Sequence, residues 1–160
     1  MKDFLVVFEH AISTSAKALR EITEEQSTVK PAVDKWSQKE ILGHLIDSAF
    51  NNAVRFVKCQ TKEDMIFAPY DQDFWVKVQS YQEREWNELI DLWHKSNFHI
   101  LNIIKHIPAE VLTRKFSYHN FDEIAWIAVD KNKPVDLNYL IRDYLGHMKH
   151  HLDQIFRSDE

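Results

Sequence analysis

The segment DLNYLIRDYLGHMKHHLDQI, residues 136–155, decides the architecture. Leu137, Ile141, Tyr144, Leu145, Met148, Leu152 and Ile155 recur three and four apart, which is the spacing of one face of an α-helix. Asp136, shortly after Pro134, is a good N-cap, so the spacing predicts a helix beginning there. Three of the nine histidines fall in this one segment, and helical rotation separates them. From the centre of the apolar face His151 lies roughly 60° away, His147 roughly 100° and His150 roughly 160°. His147 and His151 therefore stack one turn apart on the border of the buried face, and His150 points to solvent.

Working outward, the same periodicity predicts three more long helices. Phe4, Leu5, Phe8, Ile12, Leu19 and Ile22 carry one over residues 2–26. Ser37 with Glu40 forms a capping box, and Ile41, Leu45, Ala49, Asn52 and Phe56 continue a second helix to about residue 60. Ser80 with Glu83 repeats the box before Trp86, Leu89, Ile90, Trp93, Ile100 and Ile104, a third helix ending just before Pro108. Four amphipathic helices, each ~30 Å or more long, predict an all-α, four-helix bundle forming a single domain over residues 1–160. The short joint between helices one and two predicts antiparallel directions for that pair. Residues 61–79 and 107–135 are long enough to travel a helix length, which permits parallel neighbours and a non-alternating topology. Within the second connection, residues 121–128 suit a short helix and residues 114–118 an extended piece.

Composition narrows the class. One cysteine, Cys59, excludes an intramolecular disulfide framework and suits a reducing compartment. No apolar run approaches the ~20 residues of a membrane span, and Glu9 and His10 interrupt the apolar start too early for a secretory signal. The expectation is a cytoplasmic chain with no membrane partner. A net charge of -5 with scattered Lys and Arg argues against nucleic acid, which needs a concentrated basic surface.

Two imidazoles one turn apart on a core border can grip one metal ion, provided another element supplies a third ligand. Helix two offers His44, roughly 120° from the centre of its apolar face. His44, Ser48, Asn51 and Arg55 form a polar stripe along the core edge, as the wall of a pocket between helices should. Asp47 and Asp143 could accept hydrogen bonds from imidazoles, or be solvated acids of the helix surface. Arg55 could hold a substrate carboxylate or sit in a surface ion pair. Tyr70 and Asp71, in the first long connection, are candidates for proton transfer or substrate contact. Cys59 reads as a small packing residue, since no histidine pairs with it. His10 and His99 fall on outer helix faces, His106 and His119 lie in or next to connections, and His94 flanks an apolar face as a reserve ligand. Gly43 and Gly146 each precede a site histidine, and each costs about 1 kcal/mol relative to alanine inside a helix. They suggest close packing behind those helices, against a second subunit for example.

Three segments together resemble the DinB/YfiT-like superfamily of metalloenzymes: WSQKEILGHLIDSAFNNAVRF at 36–56, PYDQDFW at 69–75 and GHMKHHLDQI at 146–155. The resemblance covers nearly the whole chain in order. It implies an up-down-down-up four-helix bundle, with a divalent metal, zinc or nickel, held by His44, His147 and His151. It further implies a homodimer and, in some branches, transferase or isomerase chemistry with a low-molecular-weight thiol.

Three neutral imidazoles leave a divalent ion with an open position, the arrangement of catalytic sites. The expectation is a metal-dependent enzyme of the thiol-dependent S-transferase or hydrolase type, acting on a small molecule. A non-catalytic metal- or small-ligand-binding bundle, for sensing or storage, is the alternative. A di-iron carboxylate bundle is disfavoured because the paired Glu-x-x-His motifs are missing.

Overall fold

The structure is a computed structural model and describes residues 2–157. Four long helices, α1 (Lys2–Glu21), α3 (Gln38–Lys58), α5 (Trp86–Lys105) and α8 (Leu137–Arg157), surround one hydrophobic cluster. Between them lie four short helices: α2 (Glu24–Thr28), α4 (Gln72–Val78), α6 (Ala109–Thr113) and α7 (Phe121–Ile124), and a single 3₁₀ turn at Tyr81–Glu83. Among the described residues the only β pairing is two isolated bridges, Met65 with His119 and Phe116 with Val135. No described helix is long and apolar enough to cross a membrane.

Local chemistry sets the boundaries. Ser37 and Glu40 form the expected reciprocal capping box at the start of α3. Asp136 accepts the backbone N–H of Tyr139 at 2.8 Å and so caps α8. Two expectations fail. Helix one stops at Glu21 instead of running to 26, because Thr23 and Gln26 build their own capping box and restart the chain as α2. The Ser80–Glu83 box does not form either: Ser80 adopts a left-handed conformation (φ 49°) that cannot offer an N-cap, and α5 starts six residues later.

Long-range contacts fix the helix directions. Trp86 Nε1, at the start of α5, donates to the Leu19 carbonyl near the end of α1 at 2.9 Å, so these helices are antiparallel. The start of α3 lies beside the start of α5, joined through Glu24, which pairs with Lys39 and accepts the Trp86 backbone N–H. Gln38 donates to the carbonyl of Ile155 at 3.0 Å, so α3 begins where α8 ends. Arg142 lies over Phe4, and Phe8 meets Tyr144 edge-on, so α8 and α1 run together. Each of α1 and α3 packs against both α5 and α8, which places the sequence-adjacent pair α1 and α3 across the core from each other.

Trp86, Trp93, Phe8, Phe56 and Phe121 are the largest fully buried side chains among the described residues. Each such burial contributes about 1.5–3 kcal/mol. One polar pair is enclosed with them: Tyr144 Oη donates to Asn97 at 2.6 Å, and Asn97 in turn donates to the Trp93 carbonyl. The two long connections clasp each other through Asn120, whose side-chain amide pairs with both backbone groups of Phe67 at 3.0 and 2.8 Å. His119 belongs to this clasp, bonded to the Lys133 carbonyl and the Phe121 N–H.

The space behind the two glycines is filled by this chain itself, a correction to the idea of a second subunit there. A Cβ on Gly43 would lie 2.2 Å from the Tyr81 ring, and one on Gly146 would lie 2.9 Å from the Trp126 ring.

Candidate metal centre

Antiparallel packing of α3 on α8 brings His44 to His147 and His151. One donor atom from each of the three lies within 4.8 Å of the others. His44 Nε2 and His147 Nε2 are 3.1 Å apart. Two nitrogens held at ~2.1 Å by one tetrahedral ion would be roughly 3.4 Å apart, so the spacing suits a shared ligand position. The His44 ring is 4.8 Å from that of His151 and packs on Trp36 at 5.2 Å, which closes its outer side. His44 is thereby buried at 2% exposure, deeper than the helix-edge position its rotation implied.

Electrostatics keep these rings neutral. Burial, with His151 adding to it, pushes His44 down to about 3, and burial with neighbouring histidines pushes His147 down to about 2. His151 is lowered too, chiefly by burial, against a hydrogen bond to Gln154 Oε1 that raises it. Neutral imidazole is the form a metal binds, so the donor set fits a divalent ion without first losing protons near pH 7. Tautomers are partly set by neighbours. His151 Nδ1 lies 2.8 Å from Gln154 Oε1, an acceptor, which leaves Nε2 for a ligand role. His147 Nδ1 is 3.5 Å from Ser48 Oγ. His44 Nδ1 is buried without a hydrogen-bond partner among the described residues.

The three histidines line a cavity of about 340 Å³, within the range of small-ligand sites. Ser48, Asn52, Arg55, Tyr70, Asp143 and Trp126 also border it. Asn52, not Asn51, completes the polar stripe: steps of four keep residues 44, 48 and 52 on one side, whereas Asn51 turns away and donates to the Asp47 carbonyl. Asp47 is likewise off the cavity, its Oδ1 accepting from Gln79 and from Tyr81 at 2.7 Å each, so it orients no imidazole. Asp71 caps α4 by accepting the Phe74 N–H, which places its carboxylate on a helix end instead of in the pocket. Tyr70 does reach the cavity, and burial raises its phenol to about 12. Asp143 lines it too, but accepts from the backbone N–H groups of Trp126 and Ile127 at 2.9 Å each and not from His147.

His150 is exposed, packs on Trp126 and accepts from Gln154 Nε2, so it remains at the rim. Cys59 is buried, and burial raises its thiol to about 12, in keeping with a packing role. His94 stacks on Phe98 away from the cluster. Sequence reasoning missed Gln154, although it stands three residues after His151 and thus on the same helix face. It also missed Asn52 and Trp126, the latter carried in by a connection without periodicity.

Comparison with known proteins extends this picture. The chain is similar to "Putative metal-dependent hydrolase YfiT" of Bacillus subtilis, 20% identical over 152 residues, covering 95% of this chain and 80% of that protein. It is 25% identical over 138 residues to a like-named protein of Oceanobacillus iheyensis, covering 84% and 72%. A like-named relative from Bacillus mycoides aligns over 63 residues only, so the chain spans 36% of that protein. Among solved structures, YfiT from Bacillus subtilis, described as "a probable metal-dependent hydrolase with an unusual four-helix bundle topology", superposes with a TM-score of 0.77 at 20% identity. The match covers 98% of this chain and 84% of that one, and it shows a shared four-helix bundle fold. The family model of the DinB superfamily matches residues 8–155, and the chain accordingly belongs to the DinB superfamily.

Proposed function

We propose that this protein is a metal-dependent hydrolase of a small molecule, with one divalent ion held by His44, His147 and His151. The observation that carries the reading is the convergence of three neutral imidazoles, from two helices, on the wall of a cavity large enough for a small ligand. The names of the relatives point the same way. An all-imidazole donor set suits zinc or nickel. When bound, such an ion supplies a Lewis acid and eases ionisation of water or a thiol. The chain's own contribution is to hold the rings. Gln154 fixes His151, Trp36 closes the outer side of His44, and Asp143 anchors the backbone at Trp126 along the cavity.

Metal content is the first test. Protein expressed in zinc- or nickel-supplemented medium should carry about one ion per chain by elemental analysis, with at least one exchangeable ligand position visible in a cobalt-substituted spectrum. Turnover of amide and ester panels without added thiol supports hydrolysis, and turnover only with a low-molecular-weight thiol transfers the reading to an S-transferase. Protein that stays metal-free after reloading defeats both.

A further inference from the structure

The described residues bury two cationic side chains, and they are treated differently. Lys39, 2% exposed, is paired with Glu24. Arg55 is 6% exposed and makes no hydrogen bond or ion pair among the described residues. The guanidinium lies over the Phe67 ring, 6.0 Å from Cζ to the centroid. Asp143 lies within electrostatic reach, but both of its oxygens already accept backbone N–H groups of Trp126 and Ile127. A guanidinium has five donors in a planar fork, and those of Arg55 are not among the fully buried unpartnered atoms, so they are open to the cavity and to a ligand there. Arg55 borders the same cavity as the three histidines, and so does Tyr70, whose hydroxyl also makes no hydrogen bond among the described residues.

We propose that Arg55 is the seat for a carboxylate of the substrate, which is a monoanionic small molecule lying along α3 between Arg55 and the three histidines. This deepens the hydrolase reading and rests on it for the site of bond cleavage. Position and charge carry it. His44 and Arg55 are about three turns apart on one helix, ~16 Å along its axis, with Ser48 and Asn52 between them on the same wall. The carboxylate end and the reacting bond must therefore be several bonds apart. Of the charged groups on the cavity, Arg55 is positive, and Asp143 and Glu123 are negative. Adding a divalent ion leaves one net positive charge, which a carboxylate neutralises and a phosphate dianion overshoots. The planar fork of arginine also matches a carboxylate in bidentate fashion.

The test is made on the full chain, both stripped of metal and reloaded with zinc. Arginine side-chain NMR signals are followed during titration with acetate and propionate, against chloride at equal ionic strength and against inorganic phosphate. Arg55 Nε–H should shift saturably with the carboxylates in both forms, more weakly without zinc because Asp143 and Glu123 then leave the cavity with one net negative charge, and thermal midpoints should rise in parallel. Arg55→Met, close in shape and uncharged, should weaken carboxylate binding at least about tenfold, and Arg55→Lys should restore it only in part. An Arg55 signal indifferent to carboxylate up to 100-millimolar order (about 0.1 M), a stronger response to phosphate, or equal binding by Arg55→Met overturns the proposal. Because the metal-free form reads Arg55 directly, failure to load metal would sink the hydrolase reading without deciding this one.

Discussion

Gly43→Ala tests whether the packing behind the metal centre is as tight as the structure has it. The new methyl would lie 2.2 Å from Tyr81 Cδ2 and 2.3 Å from Cγ, atoms at the base of a ring that is 3% exposed. The ring cannot swing at its tip to make room, so Tyr81 must move bodily, and its hydroxyl then leaves Asp47. Overpacking costs about 1–3 kcal/mol and a lost hydrogen bond to a buried carboxylate about 1.5–3 kcal/mol. Better helix propensity returns about 1 kcal/mol. The net destabilisation is about 1.5–5 kcal/mol, or a melting temperature lower by roughly 3–20 °C for a chain of this size. Thermal and urea unfolding by circular dichroism, with a chelator present, measure it. Gly146→Ala is the internal control. Its methyl meets the outer edge of Trp126, at 2.9 Å from Cζ3, and Trp126 is 44% exposed and free to yield. That variant should be neutral or more stable by up to about 1 kcal/mol. Equal behaviour of the two alanine variants, or a Gly43→Ala protein as stable as the wild type, would refute the argument.

Three further outcomes are expected. His151→Ala should lose most of the bound metal while His150→Ala keeps it, as read by elemental analysis side by side; the reverse pattern would place the wrong histidine in the site. Asp71→Ala removes the cap of α4 and should cost about 1 kcal/mol in urea unfolding with metal content unchanged, because the carboxylate is not on the cavity. Cys59, raised by burial from 9.0 to about 12, holds its proton in the folded chain where the unfolded chain loses it. Its contribution to stability is thus complete below pH 9.0 and declines as pH rises from there towards 12, and Cys59→Ala should flatten that decline in denaturant midpoints. Rapid labelling of Cys59 by a thiol reagent in native protein at pH 8 would contradict the burial behind this.

The long helices and the three histidines were legible because both are local periodic signals. Apolar residues three and four apart mark α1, α3, α5 and α8, and rotation about α8 separates His147 and His151 from His150. Short-range chemistry was legible only where nothing competed with it. Ser37 caps as expected, yet Ser80, with the same partner spacing, is forced into a left-handed conformation. What periodicity could not carry was the path of the two long connections. Tyr81, which occupies the space beside Gly43 and holds Asp47, is 34 residues from that acid, and Trp126 arrives from a segment with no repeat. Asp47 and Asp71 are only candidates on sequence, Asp47 open between an imidazole acceptor and a solvated acid; the fold instead ties Asp47 to Gln79 and Tyr81 and Asp71 to the first turn of α4. Asn51 and Asn52 differ by one step of rotation, finer than an apolar face can be drawn from sequence.

His44 and His147 are 103 residues apart in the chain, and their nitrogens 3.1 Å apart in the fold. Closing so long a loop carries an entropic cost that only docking of α3 on α8 offsets. No fragment with local helical structure alone can assemble the three donors, so an ion that binds them selects the completed bundle over every partly folded form and shifts the population towards it by mass action. Metal uptake during refolding should lag helix formation and coincide with the last cooperative step, which makes the ion a reporter of when the two halves of the sequence have met.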